Sequence, residues 1–187
     1  MAPKKAVDSF KKKKWFEIIT PKNFNEQVIG ETVSLKPEQL IDRKIKVVMK
    51  NLTREAKKSH IILHFKVFKV EGTKAMTKFL GFTTDPGYIR RMIRRRVSKM
   101  ENTNYIPCKN CTIKIKSVIV SYKKLHKGQE SSIINAINAK IKEISGKKSF
   151  DDLTNEVLFG PFTNKLFSEA KRIAPIKKSE ILELSIA

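Results

Sequence analysis

The chain has 187 residues, with forty lysines and arginines against eighteen acids and a formal net charge of +22. Its 40% hydrophobic residues, eleven of them Phe, suffice for a core and exclude a wholly disordered basic tail. No apolar run approaches the ~20 residues of a membrane span, the charged N-terminus is no secretory signal, and two cysteines make no disulfide framework. These features predict a soluble, cytoplasmic protein whose excess charge a polyanion neutralises.

Residues 1–14 are lysine-rich and poor in apolar side chains, a predicted flexible basic arm. Trp15-Phe16-Glu17-Ile18-Ile19-Thr20 is a strand-like run stopped by Pro21, and Pro37 opens one helical turn. Over 44–50, Ile45, Val47 and Met49 alternate with Lys44, Lys46, Val48 and Lys50, which predicts a strand. Over 59–70, Ile61, Leu63, Phe65 and Val67 make one face; His60, His64 and Lys66, with Ile62 and Phe68, make the other. The turn signal Glu71-Gly72 then joins 73–84 to it as a hairpin.

Asp85-Pro86 supplies the N-cap and first position of a helix. Along it Ile89, Met92, Ile93, Val97 and Met100 form one stripe, with Arg90, Arg91, Arg94 and Arg95 on the other faces. A second hairpin is predicted from 105–108 and 111–122, with Lys109-Asn110 at its tip. Residues 129–144 place Ile133, Ile134, Ile137, Ile141 and Ile144 on one helical face. Ser149 and Asp152 form a capping pattern for a helix to Phe159, Gly160-Pro161 starts another to about Ile173, and 176–186 is a last strand. The class is α+β, an antiparallel sheet or barrel covered by helices. The expected division is an arm over 1–14, a β-rich nucleic-acid-binding core over 15–125, and a helical part over 126–187 that packs on it. From Lys147 onward seven basic residues meet six acids, so the binding surface is expected earlier in the chain.

Guanidinium forks match phosphate oxygens bidentately, and no acid stands between Asp85 and Glu101 to occupy the arginines. Phosphate binding is therefore preferred over a merely solvated helix face. Lys11, Lys12, Lys13 and Lys14 add point charge beside Trp15, which fits a buried strand position first and a base-stacking platform second. Lys44, Lys46, Lys50, Lys66, Lys114 and Lys116 would make a charged face if their strands share one sheet. Cys108-x-x-Cys111 has the spacing of half a zinc site, with His60-x-x-x-His64 as the only other half; ordinary thiols at a hairpin tip explain it better. Asp151, Asp152 and Glu156 would be needed for a metal-dependent nuclease, but at a helix start they complement the dipole. No phosphate-loop, dinucleotide or nucleophile motif occurs among seven glycines.

The run Lys11–Lys14 with Trp15-Phe16-Glu17-Ile18-Ile19-Thr20-Pro21 resembles the start of the S-three-a-e family of small-subunit ribosomal proteins. Val28-Ile29-Gly30-Glu31-Thr32, Asp85 with Tyr88-Ile89-Arg90, Arg94-Arg95-Arg96, Leu158-Phe159-Gly160 and Lys171-Arg172-Ile173-Ala174-Pro175 extend the resemblance over about 11–182. The compact length is similar to archaeal members. The resemblance implies a β-barrel-like core with flanking helices, an inserted Arg-rich helix here, and no catalysis or cofactor. It implies a seat on the platform near the mRNA exit, with small-subunit rRNA including its 3′ end and neighbouring platform proteins as partners, and mRNA as a further contact. The cysteine pair departs from the family pattern. The residues expected to meet RNA are Lys4, Lys5, Lys11, Lys12, Lys13, Lys14, Trp15, Lys44, Lys46, Lys66, Arg90, Arg91, Arg94, Arg95, Arg96, Lys99, Lys114, Lys116, Lys123 and Lys124. The alternative is a free-standing RNA chaperone or nucleoid-type protein.

Overall fold

The computed structural model describes residues 13–53, 58–108, 111–146 and 148–186. Strand β1 (Lys14–Ile19) buries Phe16 and Ile18 and leaves Trp15 and Glu17 outside, the alternation that a pleated strand imposes. It pairs antiparallel with β2 (Val28–Ser34). A 3-10 turn at Pro37–Leu40 precedes β3 (Lys44–Val48), which runs directly into α1 (Met49–Thr53). Strands β4 (Ile61–Glu71) and β5 (Lys74–Thr84) form the expected hairpin, turning at Gly72 with φ +58°.

Next come α2 (Pro86–Met92), β6 (Lys99–Pro107), β7 (Thr112–Ser121), α3 (Lys127–Ser145), α4 (Phe150–Leu158), α5 (Phe162–Ile173) and β8 (Ile176–Ile186). The predicted C-terminal helices and last strand stand where the periodicity put them. Ser149 caps α4, its Oγ accepting from the Asp152 amide at 3.3 Å.

The described strands form one eight-stranded sheet organised around β5. One edge of β5 takes β4 along its whole length. The other takes β1 in parallel at 74–76 and β8 antiparallel at 81–83, and β8 continues to β7 and β6. On the inner face Leu63, Phe65, Ile113, Ile115 and Leu184 pack against Ile133, Ile137 and Ile141 of α3 and against α4 and α5, all of them fully buried. Phe65 and Phe79 meet Phe24 edge-on or tilted at 5.5 and 5.3 Å, geometries that aromatic quadrupoles favour. Among the described residues no helix is long and apolar enough to cross a membrane.

Four expectations are corrected. The sheet is not a closed barrel: β5 splits one edge between β1 and β8, and β2, β3 and β6 remain free edges. The arginine helix ends at Met92. Ile93 is extended, Arg96 is left-handed at φ +63°, and Met100 belongs to β6, facing the inner core. A continued helix would stack Arg90, Arg91, Arg94 and Arg95 at spacings where like charges repel. As a loop, the segment still lays Ile93 and Val97 on Val118 and Val120. The strand at 44–50 stops at Val48, since Met49 is drawn into the core as the start of α1. Trp15 is 60% exposed; Phe16, next to it, holds the core position. Strand β2 has no expected counterpart, since its apolar pattern is weak: it is an edge strand with only Ser34 buried.

Candidate nucleic-acid interface

Five of the six strand lysines, Lys44, Lys46, Lys66, Lys114 and Lys116, do share one sheet and one face, while Lys50 stands in α1. Cross-strand register aligns Lys44, Lys66 and Lys78 in one row, and Lys46, His64, Gly81, Ser185, Lys114 and Tyr105 in the next. Residues paired across a sheet point to the same side. This outer face is not uniformly positive. Lys66 meets Asp42 at 2.8 Å, Lys114 meets Glu183 at 3.0 Å, and Glu101 holds both Lys99 at 2.5 Å and Lys116 at 3.2 Å. The Lys99 hydrogen bond, helped by Lys116 against the opposing effect of burial, keeps the Glu101 carboxyl below its ordinary range. Lys44 and Lys46 make no ion pair among the described residues.

At one end of this face, α2 and residues 93–98 form a lid. Ile89, Tyr88, Met92, Ile93 and Val97 pack on Val118, Val120 and Leu182. Asp85 caps the helix, its Oδ1 accepting from the Gly87 amide at 3.1 Å. With the apolar residues held down, Arg90, Arg91, Arg94, Arg95 and Arg96 are all exposed. Among the described residues none of the five makes an ion pair.

Hydrogen bonds bring other cations to the lid. Ser98 N donates to Ser121 Oγ, and Leu125 N to Ser98 Oγ, each at 3.0 Å, so Lys123 and Lys124 stand beside the arginine loop. The Tyr122 amide donates to the Pro175 carbonyl at 3.1 Å and Lys177 Nζ to the Met92 carbonyl at 3.4 Å. Tyr122, 62% exposed, therefore presents an aromatic face within this cluster. Tyr122 and Lys177 were not among the expected RNA-facing residues. The alternation of the last strand, whose second residue is exposed, was the available signal for Lys177.

Trp15, Lys13 and Lys14 lie toward the other end of the sheet, where β1 meets the start of β5. Lys4, Lys5, Lys11 and Lys12 fall outside the described residues.

His60 stacks on Tyr88 with ring centroids 3.8 Å apart, and His64 Nε2 bonds Thr83 Oγ1. Burial first, then neighbouring cations, holds both imidazoles below their usual value; for His64 those cations are Lys46 and Lys44. Cys108 and Cys111 are free thiols, with Cys108 Sγ 3.6 Å from the Ser145 carbonyl on the helix side of the sheet. The histidines face outward, so the two halves of a zinc site do not converge. Two of the three acids of α4 are also engaged, and Asp151 is exposed at its first turn. Asp152 accepts from Ser149 Oγ at 2.7 Å, and Glu156 holds Lys148 and Lys165. Burial works to raise the Glu156 carboxyl, but the two lysines outweigh it and leave it lowered.

The chain matches known proteins along most of its length. A model described as the Ribosomal S3Ae family matches residues 1–186. A protein of Saccharolobus solfataricus named "Small ribosomal subunit protein eS1" is 34% identical over 175 residues, covering 93% of this chain and 84% of the relative. One of the same name from Methanobrevibacter smithii is 33% identical over 186 residues, covering 99% of this chain and 96% of that protein.

Proposed function

The chain belongs to the ribosomal S3Ae family, and on that premise we propose that it is a structural, non-catalytic constituent of the small ribosomal subunit in the cytoplasm, holding rRNA through its lid. The observation that carries this reading is the set of five exposed arginines that make no ion pair among the described residues, fixed by their own apolar anchor. Rigidly placed guanidinium forks bind phosphate oxygens at little entropic cost. Lys99, Lys123, Lys124 and Lys177 extend the array, and Tyr122 offers a stacking face for an unpaired base.

A-form RNA hides its base edges in a deep groove, so recognition is by phosphate, 2′-hydroxyl and exposed loops. The arm over 1–14 adds charge to the core over 15–125; from the part over 126–187 the helices support that core from beneath, and β8 joins its sheet between β5 and β7. The proposed seat is the platform near the mRNA exit, against the 3′ region of the rRNA, mRNA near the exit and neighbouring platform proteins.

The experiment is rRNA binding as a function of salt. Replacing Arg90, Arg94 and Arg95 by Gln removes up to three phosphate contacts and is expected to flatten the log–log salt slope by about 0.9 for each. An unchanged slope refutes the lid as the RNA contact. Sedimentation of a lysate separates this reading from a free chaperone: the protein travels with small subunits at moderate salt, whereas a dominant free pool favours the chaperone.

A further inference from the structure

The outer face carries two hollows that share Thr83 and Glu183. One, of about 510 Å³, reaches Lys44, His64 and Lys66; the other, of about 330 Å³, runs against the lid to Arg90, Lys99 and Lys116. Joined at Thr83 and Glu183, they make one trough across β4, β5, β8 and β7. Each part is of the size that accommodates a small ligand.

The low floor has a backbone cause. Pairing jumps from His64–Gly81 to Phe65–Phe79, so Leu80 is an extra residue and β5 bulges. Gly81 takes φ +147°, and a Cβ there would stand 2.0 Å from the Leu184 carbonyl oxygen. No side chain can rise from the centre of this face, and its neighbours Thr83 and Ser185 are short hydroxyls. The walls are long cations, and the row through Gly81 ends at the free β6 edge on Tyr105, 63% exposed.

We propose that this trough seats a single strand of RNA, a contact separate from the lid. The inference rests on the reading of the chain as an RNA-binding protein and names the RNA form that this face takes. A duplex is too wide to descend to a floor one side chain deep. A single strand can turn phosphates to Lys44 and Lys46, which make no ion pair among the described residues. Its 2′-hydroxyls and exocyclic amines are donors that Glu183 accepts, a role that a row of phosphates cannot fill. Tyr105 gives an unstacked base a platform at the edge. An acidic peptide fits less well, because its carboxylates would face Glu183 and Glu101 on the floor.

The test uses the full chain, a labelled oligouridine of about eight nucleotides, and an RNA duplex of about 16 base pairs. Ser185→Trp fills the floor; Lys44→Gln with Lys46→Gln removes exposed charge from an edge strand and leaves the core untouched. Each is expected to weaken oligouridine binding about tenfold or more and to leave duplex binding nearly unchanged, whereas Gln at Arg94, Arg95 and Arg96 weakens the duplex. Crosslinks from thiouridine to the peptide carrying Tyr105 or Lys114 support the trough.

Oligouridine binding unmoved by both trough variants overturns the inference while leaving the lid reading intact. So do crosslinks confined to the lid, or tighter binding of an oligoglutamate of equal length. Failure of the wild-type chain to bind either RNA removes both readings.

Discussion

The lid and the sheet face carry positive charge in opposite ways. On the sheet, Lys66, Lys114 and Lys116 each rest against a carboxylate, and Glu101 serves two lysines at once. On the lid five arginines make no ion pair among the described residues, and an apolar cluster of Ile89, Ile93, Val97, Val118 and Val120 lies beneath them. A lysine already paired gains little from a new anion, because one ion pair is exchanged for another. An unpaired arginine gains the whole interaction and releases a counterion as well. Net charge therefore does not locate an interface by itself; the pairing of that charge does. The difference predicts steeply salt-dependent binding at the lid and shallower, more shape-dependent binding on the sheet.

The largest way to break this comparison is at Gly81. Gly81→Ala drives a Cβ into the β8 backbone at a φ that L-residues avoid, and strain plus overpacking is expected to cost about 3–5 kcal/mol. Urea unfolding measures it, and a loss below about 1 kcal/mol would show that β5 and β8 can separate cheaply. Next is the lid's anchor. Ile89 is buried against Val118 and Val120, so Ile89→Ala is expected to cost about 2–4 kcal/mol. It should also weaken duplex RNA binding although no charge is removed. Stability lost without any loss of binding would mean the arginines need no fixed lid.

Much of this frame was legible in the chain. The β4–β5 hairpin, the isoleucine face of α3, the Ser149 cap and the last strand all follow from local periodicity and turn chemistry, which need no knowledge of distant residues. The lid was half legible. Four of the five stripe residues, Ile89, Met92, Ile93 and Val97, do pack together, but 3.6-residue spacing could not reveal that the chain leaves the helix after Met92. Repulsion between arginines and the pull of β6 decide that. Trp15 misled because Trp is usually largely buried, while the register of β1 chooses Phe16 for the core. The trough was illegible, since it depends on a bulge at Leu80 and on the approach of residues about a hundred positions apart.

A smaller effect sharpens the contrast directly. Removing an acid should make the sheet behave like the lid. Glu183→Gln leaves Lys114 without its partner, and the salt slope for single-stranded RNA is expected to steepen by about 0.7. Glu101→Gln frees Lys99 and Lys116 together and should steepen it by about twice that. If the slope stays constant in both, the strand lysines do not meet phosphate.

The smallest effect is in pH, and its sign follows from the trough. His64 is held below the ordinary imidazole value, first by burial and then by Lys46 and Lys44, with Glu183 pulling the other way. In the fold it is neutral at pH 7. As pH falls through the ordinary value near 6.5, the unfolded chain takes up its proton before the folded chain does. Stability from this group is therefore constant above that value and declines below it, until the folded imidazole also titrates. His60 adds a decline of the same sign, burial again leading, with Lys178 and Arg91 lowering it and Glu180 and Asp85 opposing. RNA reverses the sign at His64 alone, because a phosphate in the trough favours the imidazolium. Oligouridine affinity should rise as pH drops from 7 to 5.5, by less than about tenfold per unit because one proton is linked. His64→Gln should abolish that rise while leaving the His60 part of the stability decline. A rise that persists in His64→Gln would place the titrating group outside the trough.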